Sequence, residues 1–268
     1  ITGLNFIKGR FANLAHGQEI NLPFNGINHP FIVNYYGGSG NDLVLEWGRR
    51  GLAGWGYPNF GLMESASGSS VLTPVAVPLR GVLEGRKVLA MSPYAAICTD
   101  GTLATWGSNV YGQFGNGSTA SSDVPVAVDT SGVLSEKTVI SLNSNGGFCL
   151  ALCSDGTLVS WGRNLNGTLG DGSTENRKAP VLVVNTGALT GKEVVAIDMN
   201  SSHCLALCSD GTVVSWGSNQ SGNLGTGNSS SSSVPVPVPV NSSGVLSGKT
   251  VVAIAAGSFH SLALCSDG

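Results

Sequence analysis

His203-Cys-Leu-Ala-Leu-Cys-Ser-Asp-Gly-Thr-Val-Val-Ser-Trp-Gly217 decides the fold, because close copies of it recur along the chain. It reads as two short strands joined at Asp210-Gly211. That dipeptide suits a two-residue hairpin, whose central residues both take φ > 0 at little cost to Asp and Gly. Leu-Ala-Leu before the turn and Val-Val-Ser-Trp after it are apolar on both alternating faces. Such strands are sandwiched between other layers, with neither face in water.

The turn recurs as Asp100-Gly101, Asp155-Gly156, Asp210-Gly211 and Asp267-Gly268, at spacings of 55, 55 and 57 residues. Counted between turns, the units are 102–156, 157–211 and 212–268, with a worn first copy at 51–101. Each opens on a strand ending in Trp-Gly, at Trp55, Trp106, Trp161 and Trp216. A glycine-rich turn follows, as in Gly167-Thr-Leu-Gly-Asp-Gly172, then a polar loop and a Pro-Val strand at Pro74, Pro125, Pro180 or Pro235. A second turn (Gly187-Ala-Leu-Thr-Gly191 in one copy) and a β-branched run such as Val194-Val-Ala-Ile197 lead back to the hairpin. That makes about four strands per unit with no helical periodicity, the signature of propeller blades.

The pattern Ser-x-His-x-Leu-Ala-Leu-x-x-Asp-Gly-Thr-x-x-x-Trp-Gly-x-Asn-x-x-Gly-x-Leu-Gly resembles the regulator of chromosome condensation repeat over residues 51–268. The resemblance implies an all-β fold, a β-propeller of four-stranded antiparallel blades, of which about four repeat units are present after a short β-rich segment. It also admits guanine-nucleotide exchange as an activity. The family's histidine falls at His203 and His260, while Phe148 and Pro93 take its place in the other copies. Four copies are too few to close a ring of the usual seven blades, so the chain reads as a fragment of something longer.

Charged residues are 11% of the 268, against 39 glycines, and the net charge is −3. Ordinary globular domains carry roughly 25% charged residues. This composition fits a turn-dense fold and gives no basic footprint for nucleic acid. Arg49-Arg50 and Arg86-Lys87 are isolated pairs, read as solvated turn charges. No apolar run reaches the ~20 residues of a membrane span.

Residues 1–47 stand apart, with aromatics in short apolar runs. Gly9-Arg-Phe-Ala-Asn-Leu and Phe31-Ile-Val-Asn-Tyr-Tyr-Gly-Gly-Ser-Gly-Asn-Asp-Leu-Val-Leu45 are similar to the closing segment of strand-repeat regions in bacterial autotransporter-like surface proteins. That similarity implies an exported bacterial parent, secreted or on the cell surface. Residues 37–45 also match one turn of a calcium-binding nonapeptide. One turn cannot supply the 6–8 oxygens that Ca²⁺ takes, so a glycine turn before Leu43-Val-Leu45 is expected instead. The run Asn228 to Ser233 followed by Val234-Pro-Val-Pro-Val-Pro-Val240 reads as a long loop entering an edge strand, in the slot held elsewhere by Pro125 and Pro180.

Six cysteines invite a bridge or metal reading. Cys98, Cys153, Cys208 and Cys265 are one repeated position, and Cys149 and Cys204 precede their neighbours by four residues. Along a strand that is about 13 Å, beyond a disulfide's ~7 Å limit between Cα atoms, so buried free thiols are expected. His203 and His260 share a slot that Phe can fill, which fits packing better than base catalysis. Gly-x-Leu-Gly-x-Gly lacks the strand–helix setting of a phosphate site. Neither a catalytic constellation nor a cofactor or metal set is expected.

Positions held fixed among copies serve the blade, and variable ones with reach are where a partner could be read. After Trp-Gly the copies show Ser-Asn-Val-Tyr-Gly, Arg-Asn-Leu-Asn-Gly and Ser-Asn-Gln-Ser-Gly. Tyr111, Arg163 and Leu165 are therefore the candidate binding residues, since interfaces favour Tyr and Arg anchors. The function expected is a non-catalytic protein-binding or scaffolding module with a protein or glycan partner. The alternatives are an exchange factor-like propeller and a purely architectural spacer.

Overall fold

The computed structural model describes residues 18–24, 27–37, 42–47, 52–56, 70–229 and 233–267, and their regular structure is almost wholly β. Strands β1 (Glu19–Phe24), β2 (Ile27–Gly37) and β3 (Asp42–Trp47) form an antiparallel sheet in chain order. Asp42 opens β3 opposite Gly37; residues 38–41 of the calcium-type nonapeptide lie outside the described residues. Strands β4 (Leu52–Gly56) and β5 (Val71–Val77) pair with each other.

Three four-stranded meanders follow. The first holds β6 (Val88–Ser92), β7 (Ala95–Cys98), β8 (Leu103–Gly107) and β9 (Ser122–Ala127). The second holds β10 (Val139–Ser144), β11 (Phe148–Cys153), β12 (Leu158–Gly162) and β13 (Arg177–Leu182). The third holds β14 (Val194–Met199), β15 (His203–Cys208), β16 (Val213–Gly217) and β17 (Val234–Pro239). Strands β18 (Val251–Ala256) and β19 (Ser261–Cys265) pair beyond them. Pro125, Pro180 and Pro235 all fall on the fourth, edge strand of a sheet, where a missing N–H costs no ladder bond. Within the serine run, residues 230–232 lie outside the described residues.

The Asp-Gly turns at Asp100, Asp155 and Asp210 each join the second and third strands of a sheet. A sheet therefore takes its first two strands from one sequence unit and its last two from the next, so that neighbouring units interlock. The turn itself differs from the expected one. Only glycine has positive φ (+84°, +81° and +82° at Gly101, Gly156 and Gly211), while the aspartates do not. Gly101 N–H donates to the Cys98 carbonyl at 3.0 Å, and Cys98 N–H to the Thr102 carbonyl at 2.9 Å. This is a type I turn closed by a glycine bulge, a three-residue connection. The aspartate's place is set by its side chain, which accepts the N–H two residues on: Thr102 at 3.0 Å, Thr157 at 2.9 Å and Thr212 at 3.0 Å.

The same carboxylates hold a cation from the turn before the sheet. Arg86 meets Asp100 at 2.9 Å, Lys137 meets Asp155 at 2.6 Å, Lys192 meets Asp210, and Lys249 meets Asp267 at 2.7 Å. Arg86 is thus a part-exposed turn charge that is also paired, and it donates to the Val82 carbonyl. Arg49 and Arg50 lie outside the described residues. The Lys192 hydrogen bond draws the Asp210 carboxyl down to about 2 against the opposing effect of burial. These pairs are half-exposed, and water and salt screen such pairs so that they add little to stability.

Sheet-to-sheet packing is carried by the repeated aromatics. Trp161 on β12 donates its indole N–H to the Gln113 carbonyl of the preceding sheet's loop at 2.9 Å, and Trp216 on β16 does the same to Thr168 at 2.9 Å. Cys149 and Cys204 point their thiols at those same carbonyls, at 3.5 and 3.4 Å. In β19 Ser261 replaces the cysteine and donates to Asn223 at 2.7 Å. The second glycine of Gly-x-Leu-Gly is required by this contact. A Cβ on Gly115 would sit 2.8 Å from Trp161 Nε1, and one on Gly170 equally close to Trp216 Nε1. Leu150, Leu152, Ile197, Cys204, Ala206 and Trp216 close one inter-sheet core.

All six cysteines are free thiols, and five are buried. Burial raises the Cys149 thiol to about 12. Cys265 is partly exposed, unlike the burial expected for its class; among the described residues no further sheet packs on β19. Leu262 and Leu264 are 62% and 56% exposed there, where their counterparts Leu205 and Leu207 are buried.

Candidate functional site

The loops after each Trp-Gly strand are knotted by their asparagine. Asn109 Oδ1 accepts the Phe114 N–H at 2.8 Å while its amide donates to the Ser118 and Ala120 carbonyls at 3.1 and 3.0 Å. Asn164 repeats this with Leu169 and Ser173, and Asn219 with Leu224 and Asn228. Thr105, Ser160 and Ser215 donate from the strand to the carbonyls of Phe114, Leu169 and Leu224. Residues common to the copies are thereby consumed inside the scaffold. What projects from the knot is left to the variable positions.

All three variable candidates meet at one junction. Tyr111, from the loop after β8, and Arg163, from the loop after β12, stack with the guanidinium carbon 5.3 Å from the ring centroid. Leu165 stands 63% exposed and Tyr111 38% exposed. With Asn145, Gly146, Gly147, Phe148, Asn166, Thr168 and Ser201 they line a cleft of about 290 Å³. Its backbone is fixed from below. Gln113 accepts the Tyr111 N–H at 2.8 Å and donates across the junction to Gly146 at 3.1 Å. Arg163 N–H donates to Gly147 at 3.0 Å, and Thr168 Oγ1 to the Arg163 carbonyl at 3.1 Å.

Asn145, Asn166 and Ser201 are contributions that sequence reasoning did not single out. Asn145 and Ser201 sit in the tight turns β10–β11 and β14–β15, which face the Trp-Gly loops at the same end of the sheets. A second depression, of about 460 Å³, lies at the opposite end, around the Asp155-Gly156 turn and Lys192. Its two charged lining residues, Asp155 and Lys192, are already committed to Lys137 and Asp210.

His203 is fully buried, its Nε2 2.9 Å from Ser261 Oγ, and burial lowers its pKa to about 4. It couples the third sheet to β19, and Phe148 packs in the equivalent place. His260, by contrast, is exposed. Among the described residues no group of three or more His, Cys, Asp or Glu could hold a metal ion. No helix among them is long and apolar enough to cross a membrane, which says nothing of strands.

The family model of the Regulator of chromosome condensation (RCC1) repeat matches residues 100–152, 155–207 and 210–264. The E3 ubiquitin-protein ligase HERC2 of Mus musculus is 32% identical over 171 residues, 62% of this chain and 3% of the ligase. The Ultraviolet-B receptor UVR8 of Arabidopsis thaliana is 25% identical over 266 residues, 97% of this chain and 58% of the receptor. The chain thus spans a small part of the ligase and just over half of the receptor. Among solved structures, human WBSCR16 superposes with a TM-score of 0.64 at 20% identity, over 90% of this chain and 55% of its own. Prp20p from Saccharomyces cerevisiae gives 0.62 at 20% identity, over 84% and 54%. At that identity the likeness is one of fold, and it agrees with the interlocked four-stranded sheets. With three successive repeats matched and their strands folded as propeller blades, the chain belongs to the family of regulator of chromosome condensation (RCC1) repeat proteins.

Proposed function

We propose that the chain is a non-catalytic binding or scaffolding segment that presents the Tyr111–Arg163–Leu165 cleft to a partner protein. The observation that carries this reading is the convergence of the three variable side chains at one sheet junction. The invariant residues around them spend their hydrogen bonds internally, so only the variable ones are offered outward. Propellers of this fold are met with protein partners: yeast RCC1 (Prp20) is seen bound to Kap60, and Prp20p is described with its binding to Gsp1p and histones. The similarity of residues 1–47 to bacterial strand-repeat segments supports a place in an exported, surface-directed parent.

The test is capture of partner proteins by the chain, by Tyr111→Ala/Arg163→Ala, and by a Leu182→Ala control at the opposite end. Partner retained by the control and lost by the double variant, at unchanged melting temperature, is the expected result. Full retention by the double variant removes the cleft from the account and puts the partner's contact elsewhere on the chain. A second reading, guanine-nucleotide exchange, has the Prp20p–Gsp1p likeness in its favour. Accelerated release of bound guanine nucleotide from a small GTPase by this chain would establish it in place of the non-catalytic reading.

A further inference from the structure

The chemistry of the cleft narrows the partner. Resting on the reading above, we propose that it binds an acidic peptide segment, with Arg163 taking an Asp or Glu carboxylate. Leu165 receives an apolar side chain next to it.

Arg86, Arg177, Lys137, Lys192 and Lys249 are each paired with an aspartate. The Arg163 guanidinium has neither a carboxylate nor a hydrogen-bond acceptor among the described residues. Its contact is the Tyr111 ring at 5.3 Å, and a ring face engages the guanidinium plane while leaving its edge donors unspent. Those donors match a carboxylate two at a time. The cleft lining contains this one cation and no acidic side chain, so nothing within it competes for the fork or repels an incoming anion.

The apolar half of the site is equally specific. Leu165 lines the cleft beside the Tyr111–Arg163 stack and is 63% exposed. An acidic residue with an apolar neighbour would meet both chemistries at once.

The repeat supplies an internal control. At the following junction the positions equivalent to Tyr111 and Arg163 are Asn166 and Ser218, which offer neither ring nor cation on the same backbone. The site is therefore particular to the first junction and is no property of the blade. A neutral glycan would need an aromatic face to stack on, and the Arg163 guanidinium lies over that of Tyr111. The single cation of the cleft lining, in a chain of net charge −3, is far from the phosphate-neutralising set that nucleic acid requires.

Short labelled peptides carrying Leu-Glu-Leu, Leu-Gln-Leu, Leu-Lys-Leu or Leu-phosphoserine-Leu in a Gly-Ser frame are the probes. Their binding to the 268-residue chain is read by fluorescence anisotropy, with immobilised neutral oligosaccharides in parallel. The Glu peptide should bind about tenfold more tightly than the Gln peptide, and Arg163→Gln should abolish the difference. Arg163→Lys should restore only part of it, because an ammonium cannot form the two-pronged pair. Salt from about 50 to about 500 mM should weaken the Glu peptide alone. Melting curves of the variants confirm their folding. Equal binding of Glu and Gln peptides, no binding of either, preference for phosphoserine, or preference for an oligosaccharide overturns the proposal. If Glu and Gln bind alike while Tyr111→Ala/Arg163→Ala still loses its protein partner, the cleft reading survives and the carboxylate falls. If that double variant keeps its partner, both fall.

Discussion

Replacing Gly170 by Ala should destabilise the protein far more than replacing Gly187 by Ala, although both glycines have φ of +67°. At Gly187 a Cβ would meet nothing within 4 Å. The cost there is only that of holding an L-residue in the left-handed region, about 1–2 kcal/mol. At Gly170 the same methyl would lie 2.8 Å from Trp216 Nε1, 2.9 Å from Val183 Cγ1 and 3.0 Å from Trp216 Cδ1. It enters the contact through which Trp216 donates to the Thr168 carbonyl. Overpacking of that kind adds about 1–3 kcal/mol, for a total of about 2–5 kcal/mol. Chemical denaturation followed by tryptophan fluorescence, with circular dichroism in parallel, reads both variants against the parent. Gly170→Ala should also change the fluorescence of the folded state, since the indole must move. Equal destabilisation of the two variants would refute the assignment of this glycine to indole clearance, and with it the view that the Gly-x-Leu-Gly turn exists to admit the next blade's tryptophan.

Other outcomes follow from the same contacts. Trp161→Ala should cost about 3–5 kcal/mol in a denaturant melt, while Tyr111→Ala and Leu165→Ala, at the exposed cleft, shift it little. His203 should make stability depend on pH. Burial holds its folded pKa near 4, below the ordinary 6.5, so the unfolded chain takes up the proton first as pH falls. Its contribution is complete above about 6.5 and is lost between about 6.5 and about 4, on the order of 3 kcal/mol in all. His203→Phe, borrowing the residue used at Phe148, should flatten melting temperature against pH over that window. In native thiol titration Cys265 should react first and the five buried cysteines slowly, with six reacting after denaturation; prompt native labelling of Cys149 or Cys204 would contradict the packing described.

Much of the blade was legible in the residues because its strands are short and their markers local. Leu-Ala-Leu, Trp-Gly and Pro-Val each fell on the strand expected, and the proline run of β17 fell on an edge. The turn geometry was misread at one residue: Asp210 satisfies the turn through its side chain and needs no unusual backbone, which the dipeptide alone does not reveal. The interlocking of units was hidden for a different reason. The Asp-Gly hairpin marks a convenient repeat boundary in sequence, yet it is the middle of a sheet in space. Lys137 and Asp155 are 18 residues apart and meet only because β10 pairs with β11. Tyr111 and Arg163 were each visible as large, variable side chains. Their stacking was not, because it depends on how far consecutive sheets are displaced, and no residue type encodes that.

The most direct test of the cleft as the protein's interaction surface is site-specific photocrosslinking. A benzophenone side chain is placed at Leu165 in one preparation and at Leu182, exposed at the opposite end of the second sheet, in another. Crosslinks from position 165 to a partner, mapped by mass spectrometry to an acidic segment and suppressed by Arg163→Gln, are the expected result. Crosslinks from position 182 with none from position 165 would contradict it.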